Sequence, residues 1–228
     1  MDIFVAPHYF SVYMTKIDVP YLERQLQKRL PYRYQWGRFQ NNEWDSFTGF
    51  IYDTPSWEQF ILQLKQTHQN LQVDKRALFD YAANRWFNFW SAMGVEMIFK
   101  AADLVQPVAN AKDSEKDFFL KGIPFDHKTS VFPKGFKQSF EYAKTHKEEL
   151  ITWLYTNQST EQRYHLKNRL FIIVHEAHGF HWKLKAELSL IKKEIEKYLA
   201  NFRPNQLHSF NFDNNHKTLS DIIFVSNK

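Results

Sequence analysis

The stretch K-D-F-F-L-K-G-I-P-F-D-H-K-T-S, residues 116–130, decides the fold. Apolar residues alternate with polar residues on both sides of Gly122. This alternation predicts two strands, residues 117–121 and 123–130, that are joined by a tight turn. The sequence therefore predicts a hairpin with one buried and one more polar face.

Two acidic residues and a lysine belong to this hairpin. Residues two apart on a strand point to the same face, so Asp126 and Lys128 are expected to project together and His127 to the opposite side. Pairing of the strands should bring Asp117 close to them. Converging carboxylates repel each other unless a cation lies between them. A divalent metal ion that holds a phosphate meets this need, and Lys128 could polarise a water or an oxyanion. The pattern predicts metal-dependent phosphodiester hydrolysis; the alternative is a solvated hairpin with ordinary surface charges.

A long helix is predicted upstream, over residues 74–102, which contain no Pro and a single Gly. Asp74 is suited to cap its first turn. Steps of three and four define an inward stripe made of Leu78, Tyr81, Ala82, Arg85, Phe89, Ala92, Met93 and Glu96. A carboxylate on such a stripe is costly unless it is paired or metal-bound. Glu96 is therefore a candidate metal ligand, with a salt bridge to Lys100 or Arg85 as the alternative.

The order of these elements resembles the PD-(D/E)xK nuclease superfamily, which has the restriction-endonuclease-like fold. Glu96 matches the acidic residue of its helix, Asp117 its lone Asp, and Asp126 with Lys128 its (D/E)xK pair, within residues 74–175. The resemblance implies an α/β fold with a mixed central sheet flanked by helices. It also implies that Glu96, Asp117 and Asp126 bind Mg²⁺, or Mn²⁺ in its place, while Lys128 acts in catalysis. Two departures are the absence of Pro before Asp117 and the presence of His127 where an apolar residue is usual.

Candidate substrate-binding residues follow the hairpin. Gln138 and Tyr142 look like the Gln-x-x-x-Tyr helix of RecB- and Cas4-like branches of this superfamily. Further on, a short helix that opens at Ser159 is predicted to carry Arg163, His165, Lys167 and Arg169 ahead of a buried strand, residues 170–174. Its basic side chains could contact phosphates. A plain solvated helix is the alternative.

Two parts are predicted for the chain: an N-terminal basic and aromatic helical subdomain, residues 1–72, and a nuclease core, residues 73–228. The first part mixes cationic and aromatic side chains: Lys28, Arg29, Tyr32, Arg33, Tyr34, Trp36 and Arg38. Such a mixture can grip a nucleic-acid backbone and stack on bases. The alternative is a packed layer with its charges on the outside.

Composition narrows the choice of function. The 228 residues carry a net charge of +5 and 18% aromatic residues, which suits a polyanionic partner. There is no cysteine, which excludes disulfides, thiolate zinc sites and Cys-ligated iron–sulfur clusters. The first residues lack a basic n-region and a long apolar run, so we expect a cytoplasmic protein without a membrane anchor.

A histidine-rich segment, His175-Glu176-Ala177-His178-Gly179-Phe180-His181, offers a competing site. Its histidines are spaced by three rather than by the four that a helical zinc site needs. The favoured expectation is a Mg²⁺-dependent deoxyribonuclease that acts on double-stranded DNA, of restriction or defence type, with a homodimer left open. The alternatives are a catalytically silent nucleic-acid-binding protein on the same fold and a His-cluster metallohydrolase.

Overall fold

A computed structural model describes residues 17–36, 38, 40, 42–108, 116–157, 167–212 and 217–227. The chain forms two compact units, residues 1–94 and 95–228. Among the described residues, no helix combines the length and the apolar character needed to cross a membrane. Whether residues 1–72 act as a subdomain of their own stays a prediction.

The first unit is helical. Its elements are α1 (Val19–Gln27), α2 (Asn42–Phe47), a 3₁₀ helix (Gly49–Asp53), α3 (Trp57–Gln69) and most of α4 (Lys75–Lys100). The carboxylate of Asp74 accepts a hydrogen bond from the Ala77 backbone N–H at 2.7 Å, which confirms the predicted N-cap of α4.

Burial along α4 is wider than the predicted stripe. Trp86, Phe87 and Trp90 lie off that stripe and are nevertheless buried. The two tryptophans can be buried because their indole N–H groups are hydrogen-bonded: Trp86 donates to the Thr54 carbonyl at 2.6 Å, and Trp90 to the Ile51 carbonyl at 2.9 Å. The prediction of a one-sided amphipathic helix is wrong for this part of α4, because large aromatic residues pack around most of its circumference.

Arg29, a basic residue of the first unit, forms its hydrogen bonds inside that unit. Arg29 is fully buried and donates to the carbonyls of Tyr32 and Arg33 and to the Asn84 side chain, each at 2.7 Å. Burial lowers the pKa of Arg29 to about 10 against the opposing effect of Asp80. Arg29 therefore stabilises the packing of its own unit, as the packed-layer alternative requires.

The second unit contains the sheet. Its further elements are β1 (Val105–Pro107), β2 (Phe118–Leu120), β3 (Ile123–Val131), a 3₁₀ helix (Lys134–Phe136), α5 (Phe140–Thr145), α6 (Lys147–Asn157), β4 (Arg169–His175), a 3₁₀ helix (His181–Ala186), α7 (Leu188–Ala200), a 3₁₀ helix (Pro204–Gln206), β5 (His208–Asn211) and β6 (Lys217–Ser226). The described strands form a six-stranded sheet in the order β1-β2-β3-β4-β6-β5. β3, β4 and β6 are parallel, and the other neighbouring pairs are antiparallel.

Helices cover this sheet for two reasons. Parallel strands are joined by crossover connections, which are usually helical, and the apolar side chains on both faces of such strands have to be buried. Phe171 and Ile173 of β4 pack with Phe140 of α5 and with Leu150 and Leu154 of α6. β6 packs against α7, whose apolar face is buried. The predicted α/β class, with a mixed sheet flanked by helices, is confirmed.

The predicted hairpin is β2 and β3. Phe118 pairs with Phe125 and Leu120 with Ile123, which leaves Lys121 and Gly122 as a two-residue turn. Both turn residues have positive φ, 48° and 79°. A type I′ turn requires positive φ at both of its central residues, and a turn of this type matches the twist of an antiparallel hairpin. Gly122 adopts its conformation without the strain that a Cβ would bring.

Candidate active site

Strand β3 divides the candidate residues between two faces. Phe125 is buried, and the ring of His127 lies 5.9 Å from that of Phe99 and 6.4 Å from that of Phe118. Asp126 and Lys128 alternate with these residues and therefore lie on the other face. The predicted separation of Asp126 and Lys128 from His127 agrees with this arrangement.

Asp117 binds the middle residue of the triplet. Its Oδ2 accepts a hydrogen bond from the His127 backbone N–H at 2.8 Å and lies 2.7 Å from His127 Nδ1. The Asp117 side chain is 26% exposed and that of His127 only 7%. The Asp117 backbone N–H also donates to the Phe125 carbonyl at 2.8 Å, which fixes the start of the hairpin.

The electrostatics of this pair favour its charged form. Burial acts to raise the pKa of Asp117, but the hydrogen bond and charge of His127 outweigh it and hold the pKa below its usual value. Burial acts to lower the pKa of His127, but Asp117 outweighs it and raises the pKa. Glu96 and Asp126 raise the pKa of His127 further. All three predicted metal ligands therefore favour the protonated imidazole, and Asp117 is the one that contacts the ring.

Glu96 forms the salt bridge that was the alternative to a metal ion, with Lys100 one turn further along α4. Its side chain is partly exposed rather than fully inward. Lys100 also acts to lower the pKa of Asp117, so its charge reaches two of the candidate ligands. Lys100 thus belongs to the same charge network as the carboxylates.

Asp126 is held by Arg169. Arg169 Nε lies 2.6 Å from Asp126 Oδ2, and the two residues are register partners in the parallel pair β3 and β4. The Arg169 guanidinium also lies 5.7 Å from the ring centre of Tyr155. Burial raises the pKa of Tyr155 to about 12, and its hydroxyl donates to the Lys167 carbonyl at 2.8 Å. Tyr155 is therefore a neutral, packed support for Arg169.

The predicted helix before β4 is wrong where the structure describes it. Arg169 is the first residue of β4, and Lys167 precedes that strand without helical structure. The reason is the parallel register of β3 and β4, which makes Arg169 the strand partner of Asp126. The two side chains also form an ion pair. Arg163 and His165 lie outside the described residues. The substrate-binding roles of Arg163, Lys167 and Arg169 stay predictions.

Lys128 lies in a cationic neighbourhood. Burial, followed by the charge of Arg169, lowers its pKa against the opposing effect of Asp126. The ammonium group of a partly buried lysine has already lost some of its hydration, so it loses less water when it binds an anion than an ordinary surface lysine does. Sequence reasoning identified Lys128 but not Lys185 of the 3₁₀ helix His181–Ala186, whose pKa is lowered to about 8 by burial first and then by the charge of Lys128. Lys185 stands between apolar neighbours in L-K-A, a pattern that surface helices share, so the sequence carries little signal for it.

Gln138 precedes the helix with which it was associated. α5 begins at Phe140 and is capped by the Ser139 hydroxyl, which accepts from the Tyr142 backbone N–H at 3.0 Å. Gln138 is exposed in the bend before this cap. Tyr142 stacks on His146 with ring centres 3.8 Å apart and donates its hydroxyl proton to Glu149 at 2.8 Å. Binding of substrate by Gln138 stays a prediction.

The histidine-rich segment has a structural arrangement of its own. Glu176 Oε2 accepts from the backbone N–H groups of His178 at 2.9 Å and Phe180 at 2.8 Å, and the Glu176 N–H donates to His181 Nδ1 at 2.8 Å. His175 stacks on Phe140 with ring centres 4.1 Å apart. These contacts use the carboxylate that a hydrolase would need as a base to hold the loop after β4.

Within the part of the chain that the structure describes, no group of three or more His, Asp or Glu side chains is arranged to hold a metal ion. Each candidate ligand instead has a cationic partner: Lys100 for Glu96, His127 for Asp117 and Arg169 for Asp126. Each carboxylate is thus paired separately with a side chain of the protein, in place of the shared cation that was expected.

Comparison of the chain with protein-family models, with curated proteins and with solved structures finds no match.

Proposed function

We propose that the chain is a Mg²⁺-dependent deoxyribonuclease that hydrolyses phosphodiester bonds, with a core of the restriction-endonuclease-like type. The observation that carries the proposal is that one hairpin bears Asp117 just ahead of β2 and both Asp126 and Lys128 on β3, while Glu96 lies on α4 before it. The succession of α4, β1–β3, α5–α6 and β4 also follows the element order that the resemblance implies.

The donor chemistry of these residues fits Mg²⁺, which takes carboxylate oxygens and is commonly bound through one or two carboxylates plus substrate phosphates. Asp117 and Asp126 would form such a pair, with Glu96 as the third donor. When bound, the ion would supply a Lewis acid for the phosphate and lower the pKa of an attacking water.

The side chains of this chain have separable tasks in the proposed reaction. His127 holds the Asp117 carboxylate through two contacts to one oxygen, so it is a positioning residue. Lys128 provides positive charge for the phosphate oxygens as their charge develops. Arg169 neutralises Asp126 in the free protein. Once a metal ion takes the place of Arg169 at Asp126, the guanidinium would be suited to bind a phosphate.

Cleavage of linear and closed circular duplex DNA tests the proposal, with Mg²⁺ and with EDTA. We expect Mg²⁺-dependent products, and a loss of rate of about 100-fold or more in Lys128→Ala. Lys193→Ala is the matched control, because Lys193 is an exposed lysine of α7. Product formation in EDTA, or an unchanged rate in Lys128→Ala, would contradict the proposal.

A second candidate is a catalytically silent nucleic-acid-binding protein on the same fold. The ion pairs of all three carboxylates favour it, since they already compensate the charges that a metal ion would otherwise neutralise. Calorimetric titration with Mn²⁺, in the presence of duplex DNA, separates the two. Heat of binding that Asp126→Asn abolishes supports the nuclease, and DNA binding without any metal heat supports the silent protein.

A further inference from the structure

Asn168 stands immediately before β4 and reaches both strands that flank β4 in the sheet, β3 and β6. Its side-chain N–H group donates to the Pro124 carbonyl of β3 at 3.1 Å. Its side-chain oxygen accepts from the Leu219 backbone N–H of β6 at 2.8 Å. Because β3, β4 and β6 are parallel, these contacts lie near the end of the sheet at which all three strands begin. One amide side chain therefore connects both neighbours of β4.

The chemistry of these two contacts requires an amide. The Pro124 carbonyl can only accept a hydrogen bond and the Leu219 N–H can only donate one, so the side chain between them must offer a donor and an acceptor together. Asn offers both. An Asp of nearly the same size would keep the acceptor for Leu219, but it would place a carboxylate oxygen against the Pro124 carbonyl.

The same residue holds the backbone of the candidate metal ligand Asp126. The Asn168 carbonyl accepts a hydrogen bond from the Asp126 backbone N–H at 3.0 Å. Asp126 follows Pro124 by two residues, and the residue after Asn168 is Arg169, whose Nε lies 2.6 Å from Asp126 Oδ2. Asn168 is thus bonded to β3 just ahead of Asp126, and it is linked to the peptide that carries Arg169. Loss of its side-chain contacts should therefore displace the two charged groups relative to each other.

Two further elements fix the segment around Asn168. The Tyr155 hydroxyl of α6 donates to the Lys167 carbonyl at 2.8 Å, and the Ser220 hydroxyl of β6 donates to the Arg169 carbonyl at 2.7 Å. Each residue from 167 to 169 is therefore held by a side-chain hydrogen bond of its own. A support that is locked in this way keeps the side chains of a site in their working geometry.

We propose that Asn168 is a positioning residue for Asp126, and that its side-chain bond to β3 sets the place at which the Asp126 carboxylate meets its cation. The inference rests on the proposed function for the reaction that Asp126 serves, and on the hydrogen bonds of Asn168 for the positioning itself. Replacement of residues that support a metal ligand typically costs about 10–100-fold in metal affinity or activity.

The Nε–H resonance of Arg169 tests the positioning in EDTA, without metal or DNA. Arg169→Lys identifies the resonance, and Asp126→Asn gives its position once the carboxylate charge is removed. We expect Asn168→Ala to move the resonance from the parental position toward that of Asp126→Asn. Asn168→Asp, which keeps the bond to β6, should move it as well and serves if Asn168→Ala does not fold. Thr54→Val is the control, because it removes one hydrogen bond of a buried hydroxyl in the first unit and should leave the resonance in place.

Cleavage of duplex DNA in Mg²⁺ tests the consequence for the reaction. Below the Tm of every variant, we expect Asn168→Ala to lower kcat by about 10-fold or more and to leave KM within a few-fold of the parent. Thr54→Val should keep both constants, so that a loss of stability alone is recognised by a fall that the two variants share.

An unmoved Arg169 resonance in the Asn168 variants overturns the inference, whatever happens to cleavage. A moved resonance with the parental kcat, or with a fall in kcat that Thr54→Val shares, also overturns it, because Asn168 would then support the fold without serving the reaction. If the parent itself does not cleave DNA, the proposed function fails, and the resonance in EDTA still decides whether Asn168 positions Asp126.

Discussion

Replacement of Asp117 by Asn tests whether His127 neutralises this carboxylate in the free protein. Asp117 Oδ2 accepts two hydrogen bonds, from the backbone N–H and the Nδ1 of His127, at 2.8 and 2.7 Å. Asn keeps one acceptor oxygen and can retain the backbone bond, but it loses the charge. A hydrogen bond between charged groups contributes about 1.5–3 kcal/mol, so Asp117→Asn should lower the free energy of unfolding by about 2 kcal/mol. Asp117→Ala, which loses both bonds, should lower it by about 3 kcal/mol.

Thermal and urea unfolding in EDTA measure this effect. For a chain of this length, about 2 kcal/mol corresponds to a fall in Tm of about 4–8 °C. Asp103→Asn is the control, because Asp103 is exposed and surface changes usually stay within about 0.5 kcal/mol. An Asp117→Asn variant as stable as the Asp103→Asn control would refute the ion pair. A variant more stable than the parent would mean that repulsion among the carboxylates dominates.

The remaining predictions concern pH, Lys185 and the histidines. The lowered pKa of Asp117 adds stability that is present above about pH 3.9 and is lost as the pH falls through the pKa of the folded state. The raised pKa of His127 adds stability that is present below about pH 6.5 and is lost as the pH rises through the pKa of the folded state. The destabilisation by Asp117→Asn in EDTA should therefore be larger at pH 6 than at pH 9, and equal values would contradict the pairing. Lys185, with its pKa lowered to about 8, destabilises the fold below that pH and less so as the pH rises towards 10.5. Lys185→Met should accordingly raise Tm at pH 7 and lose this advantage by pH 10, and a lower Tm at pH 7 would argue against an unfavourable burial of the Lys185 ammonium group. His175→Ala and His178→Ala should keep Mg²⁺-dependent cleavage. Loss of cleavage in these variants, together with cleavage by the parent that Zn²⁺ supports, would favour the histidine site.

The hairpin was predictable because its signals are local. Alternation of apolar residues and the glycine at position 122 specify β2, β3 and the turn between them, and the structure extends β3 by a single residue, to Val131. The cap at Asp74 was predictable for the same reason, since a capping side chain acts on a backbone N–H three residues away.

The partners of the site residues were not predictable, because they depend on register and on crossovers. Arg169 meets Asp126 only through the parallel pairing of β3 and β4. Lys185 is half-buried because the 3₁₀ helix that carries it packs back against β3 and β4. The departure at His127 was visible in the sequence, but not that its imidazole would bind Asp117.

The most direct test of the central claim compares Asp126→Ala with the parent on the same duplex DNA, with binding measured in EDTA and cleavage in Mg²⁺. Removal of a metal ligand should abolish cleavage, by about 100-fold or more, while DNA binding remains within a few-fold of the parent. If Asp126→Ala cleaves at the parental rate, Glu96, Asp117 and Asp126 do not form a metal-dependent nuclease site.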